Sequence, residues 1–339
     1  MKHTFTRRTA TTLVAAMALG LGGAAHAAKD KITIAVGGKA LFYYLPLTIA
    51  EQKGFFKDEG IHVEVVDFAG GSKALQAVVG GSADVVSGAY EHTIKLQAKK
   101  QYFTAFVQQA RAPQIVLAIS NKTMPDYKSL ADLKGKKIGV TAPGSSTNMM
   151  ASFVLDAAGV DPKGVSYIGV GAGAGAIAAM ASGQIDAISN LDPVISTLER
   201  DNAIKVVVDT RKLDATRKVF GGDMPAGSLY APESFIKENP DAVQKLTNAM
   251  VKAAQWLQTA SAEDVLKTVP AGYTLGDAEL YKRTFNSLKE AMSPDGMISP
   301  NGTETALKAL KSFDAKIAGA DIDLSRTYTN DFVNKALGK

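Results

Sequence analysis

No cysteine occurs among the 339 residues, which excludes disulfide frameworks, thiolate-held zinc, iron–sulfur clusters, thiol nucleophiles and a lipid anchor on an N-terminal cysteine. Histidine is scarce: His3, His26, His62 and His92 are all there are, and none of them forms HExxH or another metal-ligand spacing. The expectation is therefore no metal and no cofactor. Aromatic residues make up only 7% and no basic run stands in the body of the chain, so nucleic acid is not an expected partner. No apolar stretch approaches the roughly 20 residues of a membrane-spanning helix.

What is present is an ordinary globular composition, 46% hydrophobic and 21% charged, long enough for one large or two ordinary domains. Lys2, Arg7 and Arg8, the apolar run 13–21 and the small residues ending Ala25-His26-Ala27 read as an export signal over residues 1–27, cleaved after Ala27. Those residues carry three positive charges and no negative one, so the net charge of +5 falls to +2 on cleavage. An exported, unanchored, cysteine-free chain is expected in a periplasm, as a monomer.

Beyond the leader the pattern alternates. Residues 32–36, 61–66 and 83–87 read as strands, with helices over 46–53 and 72–79 between them. The same grammar recurs at 137–140, 165–170 and 185–189, with helices over 148–158 and 176–181. Gly81, Asp84 and Ser87 match Gly183, Asp186 and Ser189 at a constant offset of 102, which predicts two similar α/β lobes. Residues 114–119 and 228–230 read as strands bracketing the second lobe. The assignment is residues 28–113 and 226–339 to lobe 1 and 114–225 to lobe 2, with helices over 241–259, 278–292 and 303–318 covering lobe 1.

Pro46-Leu47-Thr48-Ile49-Ala50-Glu51, Lys53-Gly54-Phe55-Phe56-Lys57-Asp58-Glu59-Gly60, Gly70-Gly71-Ser72, Gly81-Ser82-Ala83-Asp84-Val85, the segment from Ser129 to Val140, Pro143-Gly144-Ser145, Gly183-Gln184-Ile185-Asp186-Ala187 and Asn239-Pro240 occur in this order. Together they resemble the nitrate/sulfonate/taurine-type (NMT1/THI5-like) solute-binding proteins of ABC importers. The resemblance implies a two-lobed type II periplasmic binding fold, closing on a small solute and docking on a membrane permease. It favours an organic anion, sulfonate- or taurine-like or an aromatic carboxylate, and a receptor rather than an enzyme. The alternative is a binding protein or enzyme for a thiamine pyrimidine precursor on the same fold.

In such sheets ligands sit beyond the carboxyl ends of the strands. Gly71 and Ser72, and Ser145, Ser146 and Thr147, open helices there, and their free N–H groups could hold an anion or merely be capped. Ser87, Gly88 and Tyr90 follow one strand and Asn190 and Asp192 its counterpart, though Asp192-Pro193 also suits a helix start. Phe42, Tyr43 and Tyr44 lie in the first strand–helix loop, where members of the family reach the ligand; the competing reading is packing against the next helix. Lys39 and Arg111 are candidate charge partners for the solute. Gly171, Gly173 and Ala176 fit a dinucleotide fingerprint but follow a late strand, so a glycine-rich loop is the better reading. There is no G-x-S-x-G, and a triad would require His92 to meet Ser87 or Ser146.

Overall fold

The computed structural model describes residues 31–339; the expected export signal and its cleavage point lie outside the described residues. The chain begins β1 (Lys31–Gly37), α1 (Leu45–Gln52), β2 (His62–Phe68), α2 (Gly71–Val79), β3 (Val85–Ala89), α3 (Glu91–Gln97) and β4 (Phe103–Gln108). It then crosses into a second set: β5 (Val116–Ser120), β6 (Lys137–Val140), α4 (Ser146–Ala157), β7 (Ser166–Gly169), α5 (Ala174–Ser182), β8 (Ala187–Asn190), α6 (Val194–Arg200), β9 (Ile204–Asp209) and α7 (Leu213–Phe220). It returns as β10 (Gly227–Pro232) and ends in α8 (Pro240–Thr259), α9 (Ala278–Leu288), α10 (Pro300–Phe313) and α11 (Asp331–Ala336).

Two five-stranded sheets result, ordered β2-β1-β3-β10-β4 and β7-β6-β8-β5-β9. The plan is the same in each: three parallel strands, then an antiparallel strand supplied by the crossing chain, then the fourth. The repeated Gly-x-x-Asp-x-x-Ser explains part of this likeness. Gly81 and Gly183 take the left-handed conformation, φ 77° and 82°, which only glycine adopts without strain and which ends the preceding helix. Three residues on, the Asp84 carboxylate accepts the Thr33 N–H at 2.9 Å and that of Asp186 the Lys137 N–H at 3.0 Å. Each carboxylate therefore docks β3 or β8 beside the middle strand of its parallel trio, β1 or β6.

Apolar runs account for the strand interiors. Ile32, Ile34 and Val36 are fully buried in β1, and Val116 to Ile119 in β5, as expected for strands covered on both faces. β4 and β9 were not expected; Phe103–Gln108 is buried throughout but its Thr and Gln residues dilute the apolar signal. The expected helix over 303–318 is two, because Asp314 caps a fresh turn at Ala315–Ala318. Among the C-terminal helices, α8 packs on α1 and on α11, which lies against β4, all on the first sheet's side. In addition, α10 touches both α3 and α4 and so spans the two lobes.

Candidate functional site between the lobes

The lobes are closed on each other in this structure. The N-termini of α2 and α4 meet across the boundary: the Ser72 N–H donates to Ser145 Oγ at 2.9 Å, Ser145 Oγ–H donates to Ser72 Oγ at 3.1 Å, and Ser72 Oγ–H donates to the Pro143 carbonyl at 3.0 Å. Ser145 is the N-cap of α4 yet makes no cap bond to its own helix; its oxygen instead satisfies the first turn of α2. The Phe42 N–H donates to the Asp192 carbonyl at 3.2 Å. Close approach requires small residues here: a Cβ on Gly70 would lie 2.9 Å from the Ala142 Cβ, and one on Gly38 would lie 2.5 Å from that of Ala172.

What closure leaves open is a narrow cavity of about 30 Å³, lined from both lobes, from the crossing segments and from α10. Tyr43 and Glu91 come from the first lobe, Ser146, Met149, Met150 and Phe153 from the second. Pro113, Ile115, Met224, Pro225 and Ala226 lie on the crossings, with Phe220 at the end of α7; Ala309, Leu310 and Phe313 belong to α10. Phe153 stacks on Phe220 at 4.9 Å between centroids and meets Phe313 edge-on at 6.4 Å. Thioethers and aromatic rings make a wall suited to an apolar body.

Glu91 is the only ionisable group in that lining other than the Tyr43 phenol. It is 6% exposed, and burial pushes its carboxyl up to about 7, opposed by its own backbone N–H and by Lys95. Next to it His92 is held neutral: burial, with Lys95 adding to it, pushes the imidazole down to about 3. Its Nδ1 accepts from the Tyr230 hydroxyl at 3.0 Å, and its Nε2–H points at the Gly144 carbonyl of the other lobe, 3.4 Å away. Tyr44 and Tyr230 complete the surroundings of Glu91, whose charge raises both phenols beyond what burial does.

Of the residues singled out in the sequence, Tyr43 and Ser146 line the cavity. Tyr44, Gly71, Ser72 and Ser145 stand at the lobe boundary, with the Tyr44 hydroxyl beside Gly71. The others are engaged elsewhere. Phe42 stacks on Tyr281 of α9 at 4.3 Å, a contact with a distant helix. Lys39 pairs with Glu51 at 2.6 Å, and Arg111 donates to the Glu290 carbonyl at 2.7 Å in a separate surface groove, so neither cation reaches the cavity. Ser87 Oγ accepts from Gln109 Nε2, Gly88 lies under the Tyr230 hydroxyl, and Tyr90 bonds Thr327 at 2.6 Å. Thr147 Oγ1 is tied to Thr141, and Asn190 donates to the Gly171 carbonyl. Asp192 accepts the Ser196 N–H at 2.7 Å and faces Arg211 at 3.6 Å, the structural role its place before a proline suggested. Glu91 closes the Ser87-Gly88-Ala89-Tyr90-Glu91 segment expected at the cleft floor but was not singled out as a candidate; its signal was an acid just past the end of a buried strand.

Two sheets of identical plan, crossed twice and closed on a cavity between them, define the periplasmic-binding-protein fold. The NMT1-like family profile matches residues 27–269, and the chain belongs to that family. A solved protein of Bordetella bronchiseptica RB50 is 58% identical, superposes with a TM-score of 0.89, and the match covers 91% of this chain and 98% of that one. The alkanesulfonate-binding protein SsuA of Xanthomonas axonopodis pv. citri, solved with MOPS bound, has a TM-score of 0.72 at 19% identity over 90% of this chain and 99% of its own. Among curated sequences, YtlA of Bacillus subtilis (strain 168), named as a binding protein, is 26% identical over 265 residues, 76% of each chain.

Proposed function

We propose that this chain is the periplasmic solute-binding component of an ABC importer, which closes over a small organic anion and presents the closed form to the membrane permease. The cavity between the lobes carries this reading: it draws side chains from both lobes and from both crossings, so a bound solute favours closure through contacts the open form lacks. Ser146 brings the N-terminus of α4 to the cavity, and that partial positive end suits an anionic group without a formal cation nearby. The alkanesulfonate-binding relative supports the anion, while Met149, Met150, Phe153 and Phe220 favour an aliphatic or aromatic body over an inorganic ion. A hydrolytic triad has little support, because both ring nitrogens of His92 are engaged, by Tyr230 and Gly144, and its imidazole resists protonation.

The test is a thermal-shift panel on chain unfolded and refolded to remove carried-over solute, set against alkanesulfonates, taurine, aromatic carboxylates, nitrate and bicarbonate. Ligand at about a thousand times its dissociation constant stabilises by roughly 4 kcal/mol. One chemical class raising the melting temperature, bound one to one and recovered unchanged, is the expected result. Refolded protein unmoved by every anion overturns the anion, and turnover of a bound compound overturns the receptor.

A further inference from the structure

We infer that Glu91 selects the solute: the cavity takes an organic molecule whose apolar body carries a hydrogen-donating nitrogen, an ammonium or amidine, placed against the Glu91 carboxylate. The inference rests on the solute-receptor reading and narrows it. Glu91 lines the cavity at 6% exposure, and among the described residues no side chain donates a hydrogen bond to it. A carboxylate offers about four acceptor positions. Its own backbone N–H takes up one of them. Lys95 acts on it only as a charge, and the remaining positions are open to what enters the cavity.

A buried polar group without partners is costly, and the cost is removed by whichever solute supplies the donor. No lysine or arginine lines the cavity, so nothing in the protein competes for that place. The acid in the corresponding loop of the other lobe, Asp192, lies outside the cavity at 1% exposure. Its Oδ1 accepts the Ser196 N–H, and its Oδ2, without a hydrogen-bond partner among the described residues, faces the Arg211 cation at 3.6 Å, a charge that Glu91 has no direct counterpart for. Around Glu91 the walls are Met149, Met150 and Phe153, which attract carbon rather than charge. An unsubstituted organic acid would fill the same space and leave Glu91 unpaired, so the nitrogen is what discriminates between otherwise similar anions.

The experiment uses matched pairs that differ only in the amine: 4-(aminomethyl)benzoate and 4-methylbenzoate, leucine and 4-methylpentanoate, 3-aminopropanesulfonate and propanesulfonate. Each is titrated calorimetrically into the refolded wild-type chain and into Glu91→Gln and Glu91→Asp, with melting curves establishing that the variants fold. The expected result is that the amine-bearing member of any pair that binds does so at least tenfold tighter, a preference lost in Glu91→Gln and kept in part by Glu91→Asp. An amine-free member binding as tightly to wild type overturns the inference, whether or not the variants fold. So does a tenfold preference that survives Glu91→Gln. Binding by none of the six overturns the organic-anion receptor reading and this inference together, an outcome distinct from failure of the selectivity alone.

Discussion

The two lobes share a frame and differ at their tips. In both, a left-handed glycine ends a helix and an aspartate three residues on bonds the middle strand of the parallel trio, β1 or β6; three residues later a serine sits in the neighbouring strand, β3 or β8. Beyond that serine the first lobe runs Gly88-Ala89-Tyr90-Glu91 and the second Asn190-Leu191-Asp192-Pro193. Each tip carries a buried acid, Glu91 at its end in the first lobe and Asp192 one place earlier in the second. Asp192 is consumed by its own lobe, accepting from Ser196 and facing Arg211, which is itself clamped by Glu199 at 2.8 Å and Asp209 at 2.7 Å. Glu91 feels Lys95 as a charge but forms no ion pair with it, and it lines the cavity. A repeated frame thus delivers two acids to one boundary; what packs behind each decides whether it serves the fold or the solute.

The largest effect is expected from breaking the second tip. Burial holds the Asp192 carboxyl above the usual range while Arg211 opposes this, so Arg211→Met leaves a buried acid without its cation. Urea unfolding should show a loss of about 3–5 kcal/mol. A loss near zero would mean that the ion pair does not hold this tip.

The first tip is sharpened by pH. A carboxyl raised from 4.5 to about 7 contributes stability fully present below pH 4.5 and gone above pH 7, since the unfolded chain releases the proton first. At about 1.36 kcal/mol per unit, burial of ionised Glu91 costs up to about 3 kcal/mol at pH 7.5. Glu91→Gln is therefore expected to exceed wild type by up to that amount at pH 7.5 and to match it at pH 4.5. His92 acts with the opposite sign, because an imidazole lowered from 6.5 to about 3 contributes stability that is present above pH 6.5 and lost toward pH 3. The two slopes offset each other between pH 4.5 and 6.5 in the wild type, whereas Glu91→Gln should lose stability across that window. Tyr43, Tyr44 and Tyr230 also face this cluster, with phenols that burial raises above the window, and Lys95 faces it with an ammonium that burial lowers. A pH-independent difference between variant and wild type would contradict the assignment.

The shared frame predicts equality. Asp84→Asn and Asp186→Asn each remove a charged acceptor from one backbone N–H, so each should cost about 1.5–3 kcal/mol in equilibrium unfolding. Values differing several-fold would show that the repeat is one of sequence rather than of energetics. The smallest effect belongs to the boundary: Ser145→Ala leaves the Ser72 N–H without its acceptor, a cost of about 1 kcal/mol. Because that bond ties one lobe to the other, small-angle scattering of the variant should show a more open average shape.

Period and punctuation made the alternation of strands and helices legible, because buried parallel strands need apolar runs and helices need glycine or serine at their ends. The repeat at offset 102 was legible because the same bonds constrain the same letters twice. Tyr43 and Ser146 could be found from their place at strand ends. Glu91 and Lys39 mark where this reasoning stopped. A side chain's partner comes from chain far away in sequence: Lys39 meets Glu51, Arg111 meets the carbonyl of Glu290, and the cavity wall includes Leu310 and Phe313. The sequence by itself determined that the chain forms two like α/β lobes, with no thiol and no transmembrane-length apolar run. Only the tertiary structure decided which polar groups are spent on one another and which face the cavity, since pairing depends on three-dimensional proximity and on burial that no local pattern encodes.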